Sequence, residues 1–369
     1  MGPDSSMQPA ADAPASWTLR LRRPFGLVVP VSLLLLAGSL LLAEALLRWR
    51  HFAFLPPASI GSGHPQVDIK LERLDRLTAR EGPVDCLFLG SSLVNLGIDP
   101  ETFADAYRSR TGRPVRGFNF GLKGVTEPTA ARLAELLVEK YRPATLVYGL
   151  TMANLTDEAG PAAEKRLLGN PWVRYRLGEW SLDGWLTDHS AAFRAFLGVR
   201  NLLDPAPQRQ KWQRQPLFSA YGWGRSGQVW IKTLPDPLHP ERFADPVIRR
   251  LAGYKLSDRH LRALDDMMRL GDRVNLLLVE MPLHPSVLTF RASWLSERAA
   301  GLAAVGRRAA AAGAPFLQLD GAPPIPPEAW HDRYHLNQTG AVLFSRWLAE
   351  RTGQAVAAGA MADPTRRKR

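Results

Sequence analysis

The sequence predicts an α/β protein built on a parallel β-sheet and preceded by one helix that crosses a membrane. Short apolar runs alternate with amphipathic stretches of helical spacing on both sides of a long insertion. Such an order gives parallel strands joined by right-handed crossovers. No charged residue occurs between Phe25 and Ala43, which predicts the membrane helix. The 369 residues are enough for one large α/β domain or two small ones.

Five apolar runs bounded by turn residues are predicted to form the sheet. They cover residues 84–89, 115–120, 144–150, 274–280 and 316–319. Apolar residues recur at helical spacing around them, which predicts helices over 67–79, 101–110, 126–141, 190–203, 257–270, 292–312 and 338–351. Asp99 is placed to cap the second of these helices, and Pro100 lies in its first turn.

Residues 155–255 interrupt the alternation and are predicted to form helices and irregular loops inserted between the third and fourth strands. Six of the eleven tryptophans lie here, with Arg and Gly interleaved: Trp172, Trp180, Trp185, Trp212, Trp223 and Trp230. Aromatic and arginine side chains together suit a cap that binds sugar or acyl groups. The other interpretation is a small hydrophobic sub-core under long loops. For each tryptophan considered alone, a place in such a sub-core is favoured over a place in a binding cap.

The amino-terminal part of the chain is interpreted as a tail followed by an uncleaved membrane anchor. Residues 1–19 are rich in Pro, Ala and Ser, which predicts disorder. Apolar residues then continue to Leu47 with only Glu44 interrupting them. A signal peptide has a shorter apolar core of ~7–15 residues and an A-x-A cleavage site, which is not evident here.

The resulting boundaries are a disordered tail over 1–23, a transmembrane helix over 24–48 and a linker with a short helix over 49–82. An α/β domain over 83–355 and a basic tail over 356–369 follow. Three arginines precede the apolar span and two follow it, so the positive-inside asymmetry is weak.

The formal net charge of +12 favours anionic partners such as nucleic acid, anionic lipid or acidic polysaccharide. No nucleic-acid-binding motif is recognisable, so nucleic acid is not expected as a partner; a purely solubilising role for the charge stays open. The single cysteine, Cys86, excludes an intrachain disulfide.

Polar residues suited to acyl-transfer chemistry follow four of the predicted strands. Ser92 follows the first, Gly124 the second, Asn154 the third, and Asp332 with His335 the fifth. The carboxyl ends of parallel strands meet at one edge of a sheet, where ligands bind. A serine nucleophile needs a base, a group that orients the base and donors for an oxyanion, and these residue types supply each part.

The sequence allows two other interpretations, a metal site and a different base. The three-residue spacing of Asp332 and His335 also suits metal ligands, but no second ligand pair accompanies it, so neither a metal nor a cofactor is expected. His284, after the fourth strand, is a second candidate base. The Gly-x-Ser-x-Gly motif of α/β-hydrolases is absent, because Val94 stands where its second glycine would be.

These blocks resemble those of the SGNH (GDSL-like) hydrolases. In Gly90-Ser91-Ser92, Ser92 matches the family's nucleophile and Ser91 stands in place of its aspartate. That replacement is similar to the membrane-anchored envelope branch, which includes alginate-acetylation proteins and the accessory protein of teichoic-acid D-alanylation. The second block corresponds to residues 119–124. The closest match is Asp332-x-x-His335-Leu-Asn, with Gly340 beyond it.

The resemblance covers residues 84–157 and 274–352 and implies a flavodoxin-like three-layer sandwich with a parallel five-stranded sheet. It implies a catalytic triad of Ser92, His335 and Asp332. The backbone N–H groups of Ser92 and Gly124 and the side chain of Asn154 would form the oxyanion hole. The third block departs from the family's Gly-x-Asn-Asp pattern, because four residues separate Gly149 from Asn154.

The function expected on this basis is acyl transfer on O-acyl, in particular acetyl, esters of a cell-envelope polysaccharide. The alternative is a catalytically degenerate SGNH scaffold that binds polysaccharide or a membrane O-acyltransferase partner. The sequence does not choose between hydrolase and transferase. The expected location is the inner membrane, with the amino tail in the cytoplasm and the large domain in the periplasm.

Overall fold

The computed structural model describes residues 17–49, 52, 54–56, 58–157, 161–203, 221–231 and 251–368. The predicted disorder of the first residues and the predicted placement of Trp212 lie outside these ranges. The chain divides into two units, one of which contains the amino-terminal helix and residues 190–192, while the other contains the sheet.

The amino-terminal helix α1, Trp17–Trp49, contains a stretch long and apolar enough to cross a membrane. This stretch covers 24 residues, Gly26–Trp49, and its leucine and valine side chains are exposed. Glu44, the one acidic residue in the stretch, accepts hydrogen bonds from the Ser190 hydroxyl and from the N–H groups of Ala191 and Ala192, at 2.8–2.9 Å.

The second unit is built on a five-stranded sheet in which every pairing is parallel, which confirms the predicted α/β class. The strands in the described ranges are β1 Cys86–Gly90, β2 Gly117–Asn119, β3 Thr145–Leu150, β4 Tyr221–Trp223, β5 Val229–Ile231, β6 Asn275–Glu280 and β7 Phe316–Leu317. The five strands of the sheet lie in the order β2-β1-β3-β6-β7, the doubly wound order of flavodoxin-like folds.

Helices cover this sheet in two packed groups. Within the described ranges, the helices after α1 are α2 Pro65–Glu81, α3 Ser92–Gly97, α4 Pro100–Thr111, α5 Glu127–Tyr141, α6 Pro161–Leu168, α7 Pro171–Arg176, α8 Leu182–His189, α9 Ala191–Leu203, α10 Asp258–Met268, α11 Pro285–Leu288, α12 Ala292–Ala311 and α13 Gln338–Ala357. Helix α13 packs against α4 and α3, whereas α10 packs against α5 and α12. Every residue of β1, β3 and β6 is buried, as expected for strands covered on both faces.

Helix α2 is longer than the predicted 67–79 segment and belongs to the core of the second unit. Val67, Leu71 and Leu74 recur at helical spacing and are buried. Pro65 at its start fits the first turn of a helix, where its missing N–H costs nothing.

The insertion contains helices, as predicted, and also an antiparallel hairpin of β4 and β5 that the sequence analysis did not predict. The hairpin turn lies along the edge strand β2, because the Ser226 carbonyl accepts a hydrogen bond from Asn119 N at 2.7 Å. Covering an exposed strand edge prevents pairing with other chains. Trp172 is buried and donates to Asp188, so it fits the predicted sub-core, whereas Trp180 is 75% exposed.

The carboxyl-terminal segment lies at the amino ends of the strands. Helix α13 continues to Ala357, beyond the predicted end at 351. The side chain of Thr145 donates to the Pro364 carbonyl and that of Asn275 donates to the Arg366 carbonyl. Arg367 in turn donates to the carbonyl of Arg142. The described part of the basic tail therefore packs on the edge of the sheet opposite the one that carries Ser92.

Candidate active site

Ser92 is presented by a sharp turn between β1 and the short helix α3. The backbone at Gly90 has a positive φ of 156°, and a Cβ there would lie 2.5 Å from both the Gly149 carbonyl and Val94 Cγ2. Glycine therefore lets the strand end close against β3 and α3. The Ser91 hydroxyl caps α3 by accepting from Leu93 N at 3.4 Å, and Ser92 is the first helical residue.

Asp332 and His335 lie on a tight loop between β7 and α13. A bridge between Trp330 and Leu336 closes the loop. One carboxylate oxygen of Asp332 accepts the backbone N–H groups of Tyr334 and His335, each at 2.7 Å. These bonds fix the loop before α13 begins, so the imidazole ring of His335 leaves the loop in one direction.

The structure joins Ser92, His335 and Asp332 by two hydrogen bonds. Ser92 Oγ lies 2.9 Å from His335 Nε2, and His335 Nδ1 lies 2.7 Å from Asp332 Oδ2. Residues 243 positions apart in the chain are thus in direct contact. The side chains of His335 and Asp332 are 24% and 21% exposed, so the group is open enough for a substrate to reach.

The charge of Asp332 determines how the protons are arranged in this group. Burial acts to raise the Asp332 pKa, but hydrogen bonds from the His335 ring and the loop N–H groups outweigh it and lower the pKa. An ionised carboxylate only accepts, so His335 Nδ1 carries the proton that it donates to Asp332. With Nδ1 protonated, Nε2 is the ring nitrogen that can accept the Ser92 proton.

The two remaining predicted oxyanion residues, Gly124 and Asn154, lie on the turns that follow β2 and β3. Gly124 is exposed with φ 76°, and a Cβ there would meet nothing within 4 Å. Asn154 ends a 3₁₀ turn, Met152–Asn154, and is half-buried. Within the described ranges, the N–H groups of Ser92 and Gly124 and the side chain of Asn154 make no hydrogen bond. The structure gives no contact that joins Gly124 or Asn154 to Ser92, so their roles stay predictions.

The other candidate bases are not bonded to Ser92. His284 Nδ1 accepts from Ser286 N at 3.1 Å, and the His284 ring packs edge-on against Trp330. Burial lowers the pKa of His284, and Arg333 lowers it further. His331 is near Asp332 and His335, and its pKa is lowered chiefly by burial. Of these three histidines, only His335 makes a hydrogen bond to Ser92 in the described part of the chain.

Sequence reasoning missed a buried polar group beneath the site. Lys70 donates hydrogen bonds to the side chains of Asn95 and Asn119, and all three residues are almost fully buried. The sequence does contain an indication of this group, because Lys70 interrupts the apolar face of α2 between Val67 and Leu74. The short helix α3 was also missed, because six residues are too few to show a helical period.

Among the described residues, no group of three or more His, Cys, Asp or Glu side chains is arranged to hold a metal ion. Asp332 and His335, the pair with a spacing that also suits metal ligands, are hydrogen-bonded to each other instead.

Comparison with known proteins gives only distant structural similarity. No family model matches the sequence, and neither does any curated protein. A gut microbial diltiazem-metabolizing enzyme is 12% identical over 72% of this chain, with a TM-score of 0.34, and the chain spans 46% of that enzyme's length. A carbohydrate acetylesterase family member from Sinorhizobium meliloti is 12% identical over 74% of this chain and 99% of its own, with a TM-score of 0.32. Similarity this weak does not identify a reaction, so the function is argued from the site.

Proposed function

We propose that the protein is a serine acyl-transfer enzyme that acts on O-acyl esters, with Ser92 as its nucleophile. The observation that carries this proposal is the chain of hydrogen bonds from Ser92 through His335 to Asp332. A neutral hydroxyl is a weak nucleophile until a base takes its proton. Here the free nitrogen of a neutral imidazole lies at hydrogen-bond distance from the hydroxyl, and a carboxylate holds the ring in the required tautomer.

In the proposed reaction, Ser92 Oγ attacks the ester carbonyl carbon while His335 Nε2 takes the hydroxyl proton. Asp332 stabilises the imidazolium that forms but does not take its proton. The negative charge moves to the former carbonyl oxygen, where the N–H groups of Ser92 and Gly124 and the amide of Asn154 are proposed to bind it. The intermediate collapses as His335 returns the proton to the leaving alcohol. A water molecule or a sugar hydroxyl then attacks the acyl-serine with the same base.

We further propose that the substrate is an acetylated cell-envelope polysaccharide and that the enzyme is anchored in the inner membrane. The apolar stretch Gly26–Trp49 supports the anchor, since it is long enough for the bilayer. The net charge of +12 suits an anionic glycan, and a membrane O-acyltransferase is the proposed protein partner. The resemblance of the sequence blocks to envelope acetylation proteins supports the acetyl group.

The proposal is tested with 4-nitrophenyl acetate and with a fluorophosphonate probe that labels activated serines. Ser92→Ala should remove both labelling and turnover, and His335→Ala should lower kcat about as much, roughly 10⁴- to 10⁶-fold, because triad members act as one unit. The double variant should lose almost nothing further. Ser296→Ala, on the exposed surface of α12, and His331→Ala are the matched controls, because each removes a side chain of the same type as a triad member, and both should keep their activity.

Two results would contradict the proposal. A folded wild-type protein that neither reacts with the probe nor hydrolyses any activated ester would favour the non-catalytic scaffold. Full activity in Ser92→Ala would show that the ester is attacked elsewhere. If only His335→Ala proved harmless, the assigned base would be wrong, and His284 would be examined next.

A further inference from the structure

Lys70 is a buried lysine without an anionic partner among the described residues. Its side chain is fully buried within α2, between the apolar residues Val67 and Leu74. Burial holds the pKa of Lys70 well below its usual range. In the described part of the chain no carboxylate lies within ion-pairing distance of it. An apolar residue would be less costly at such a position. The presence of a lysine here therefore needs an explanation other than stability.

The hydrogen bonds of Lys70 account for all three protons of its ammonium group. Nζ donates to Asn95 Oδ1 at 2.7 Å, to the Asn119 carbonyl at 2.9 Å and to the Gly121 carbonyl at 2.7 Å. Asn119 Oδ1 lies farther away, at 3.4 Å, and shares one of these protons. A neutral amine has only two protons to donate, so this arrangement suits the charged form. The three acceptors point at one atom, and two of them are backbone carbonyls of a single loop.

These bonds link two separate parts of the active site. Asn95 lies on α3, one helical turn after Ser92, so the bond from Lys70 holds the helix that presents the nucleophile. Asn119 and Gly121 begin the loop that continues to Gly124, the predicted oxyanion donor. Lys70 is therefore bonded to the element that carries Ser92 and to the loop that carries Gly124.

Close packing makes the same connection. A Cβ at Gly121 would lie 2.3 Å from the backbone nitrogen of Asn95, so the loop and α3 are in backbone contact. The side chain of Asn119 donates to the Val94 and Ile98 carbonyls, both at 2.7 Å, and accepts from Gly121 N at 2.8 Å. Any shift of the loop would break these bonds together.

Helix α2 holds the loop at a second point, next to Gly124. Gln66, one turn before Lys70, accepts the Lys123 N–H at 2.8 Å. His64, just before the helix, has its Nε2 2.9 Å from the Lys123 carbonyl. One helix thus fixes the loop at residues 121 and 123, on the approach to Gly124.

We infer that Lys70 is a positioning residue that sets the separation between the oxyanion donors of Ser92 and Gly124. The inference rests on the proposed acyl-transfer function. Lys70 touches neither substrate nor nucleophile in this role. Through its bonds to Asn95 and Gly121, it determines the positions of the Ser92 and Gly124 N–H groups. Removing one oxyanion donor costs an enzyme about 10²- to 10³-fold in kcat, and displacing a donor approaches that loss.

The test is Lys70→Met in the full-length protein, since methionine fills a similar volume without donating a hydrogen bond. Active sites are counted by fluorophosphonate titration, and kcat is expressed per titrated site. We expect kcat to fall roughly 10- to 10³-fold while KM changes less than about threefold. The Ki of a trifluoromethyl ketone, whose adduct with Ser92 carries an oxyanion, should rise by the same factor as kcat falls. A merely structural role would lower the number of sites but not kcat per site.

Lys140→Met is the matched control. Lys140 is also largely buried, but it pairs with Asp75 at 2.7 Å on the α2–α5 side of the unit and makes no bond to α3 or the loop. Its kcat per site should equal that of the wild type. If Lys70→Met does not fold, Asn95→Ala removes only one of the three bonds and should show the same split between kcat and KM at smaller amplitude.

If Lys70→Met folds and its kcat per site is unchanged, the inference is overturned. If Lys70→Met does not fold, an unchanged kcat per site in Asn95→Ala overturns it. The inference would also be overturned if Lys70→Met raised KM and left kcat unchanged, or if Lys140→Met lost as much kcat per site as Lys70→Met. A wild-type protein without esterase activity would instead refute the proposed function, so the two failures are distinguishable.

Discussion

At the scale of single residues, Asp332 has two tasks that use different oxygens. Oδ1 accepts the loop N–H groups of Tyr334 and His335, while Oδ2 accepts the proton of His335 Nδ1. The first task holds the loop and the second selects the tautomer of the base. Because the tasks use different atoms, one substitution can separate them.

We predict that Asp332→Asn keeps the loop but lowers kcat by about 10⁴-fold. The amide oxygen can still accept the loop N–H groups, but the amide nitrogen would donate to His335 Nδ1. The ring proton would then move to Nε2, which could no longer accept the Ser92 proton. Steady-state kinetics and the melting temperature check this, with the exposed Asp320→Asn as control. Activity within tenfold of wild type would show that Asp332 does not orient the base.

The sequence identified Ser92, Asp332 and His335 because each follows a strand within a recognisable block. It did not identify Lys70, Asn95 and Asn119 as one group, because their contacts join three elements whose approach only the fold determines. The one available signal, a lysine on an apolar helical face, does not by itself indicate what the lysine binds. Its partners are mostly backbone carbonyls, which leave no pattern in a sequence.

At the scale of elements, helix α2 carries two aspartates whose pKa values are shifted in opposite directions. Asp68, in its first turn, accepts from Ile60 N at 2.8 Å and from the Ser62 hydroxyl at 3.0 Å. Burial raises the pKa of Asp68 to about 6 despite these bonds. Asp75, two turns later, pairs with Lys140 and Arg194. Burial opposes ionisation there too, but the two cations outweigh it and lower the Asp75 pKa.

We predict that Asp68→Asn becomes progressively more stable relative to wild type as pH rises from 4 to 6. The folded-state pKa of Asp68 lies above the unfolded value of about 3.9, so the folded wild type binds more protons in this window and loses stability as pH rises. The relative gain should approach about 3 kcal/mol and become constant only above about pH 7, where folded Asp68 is fully ionised. Urea unfolding in detergent at several pH values measures it.

Asp75→Asn is the control on the same helix, because the pKa of Asp75 is shifted in the opposite direction to that of Asp68. A lowered pKa means that ionised Asp75 contributes stability above the ordinary aspartate pKa, and that this contribution is lost as pH falls through the folded value. The Asp75 variant should therefore be destabilised at pH 7 and approach the wild type in acid. If both variants shifted in the same direction with pH, the assigned environment of Asp68 would be wrong.

At the scale of the whole molecule, the sheet could be predicted from the sequence. In the insertion, helices could be predicted but the hairpin of β4 and β5 could not. Buried parallel strands are continuous apolar runs, which is why β1, β2, β3 and β6 were found near their observed positions. The half-buried edge strand β7 is also apolar and was found as well. The hairpin of β4 and β5 has strands of only three residues, and its support comes from the edge of β2 rather than from its own sequence. A local pattern cannot report support that comes from elsewhere in the chain.

The last prediction concerns which side of the membrane the second unit occupies. Cys86 is the only cysteine and is fully buried, so the native protein should give little background with a membrane-impermeant maleimide. Two single-cysteine additions then report the two sides: Ser5→Cys in the amino tail and Ser296→Cys on the exposed surface of α12. In cells whose outer barrier is permeabilised, Ser296→Cys should be labelled at once and Ser5→Cys only after the inner membrane is opened, because a single span of about 20 apolar residues separates them. The reverse pattern would place the second unit in the cytoplasm. Labelling of both positions before lysis would show that the helix does not span the membrane.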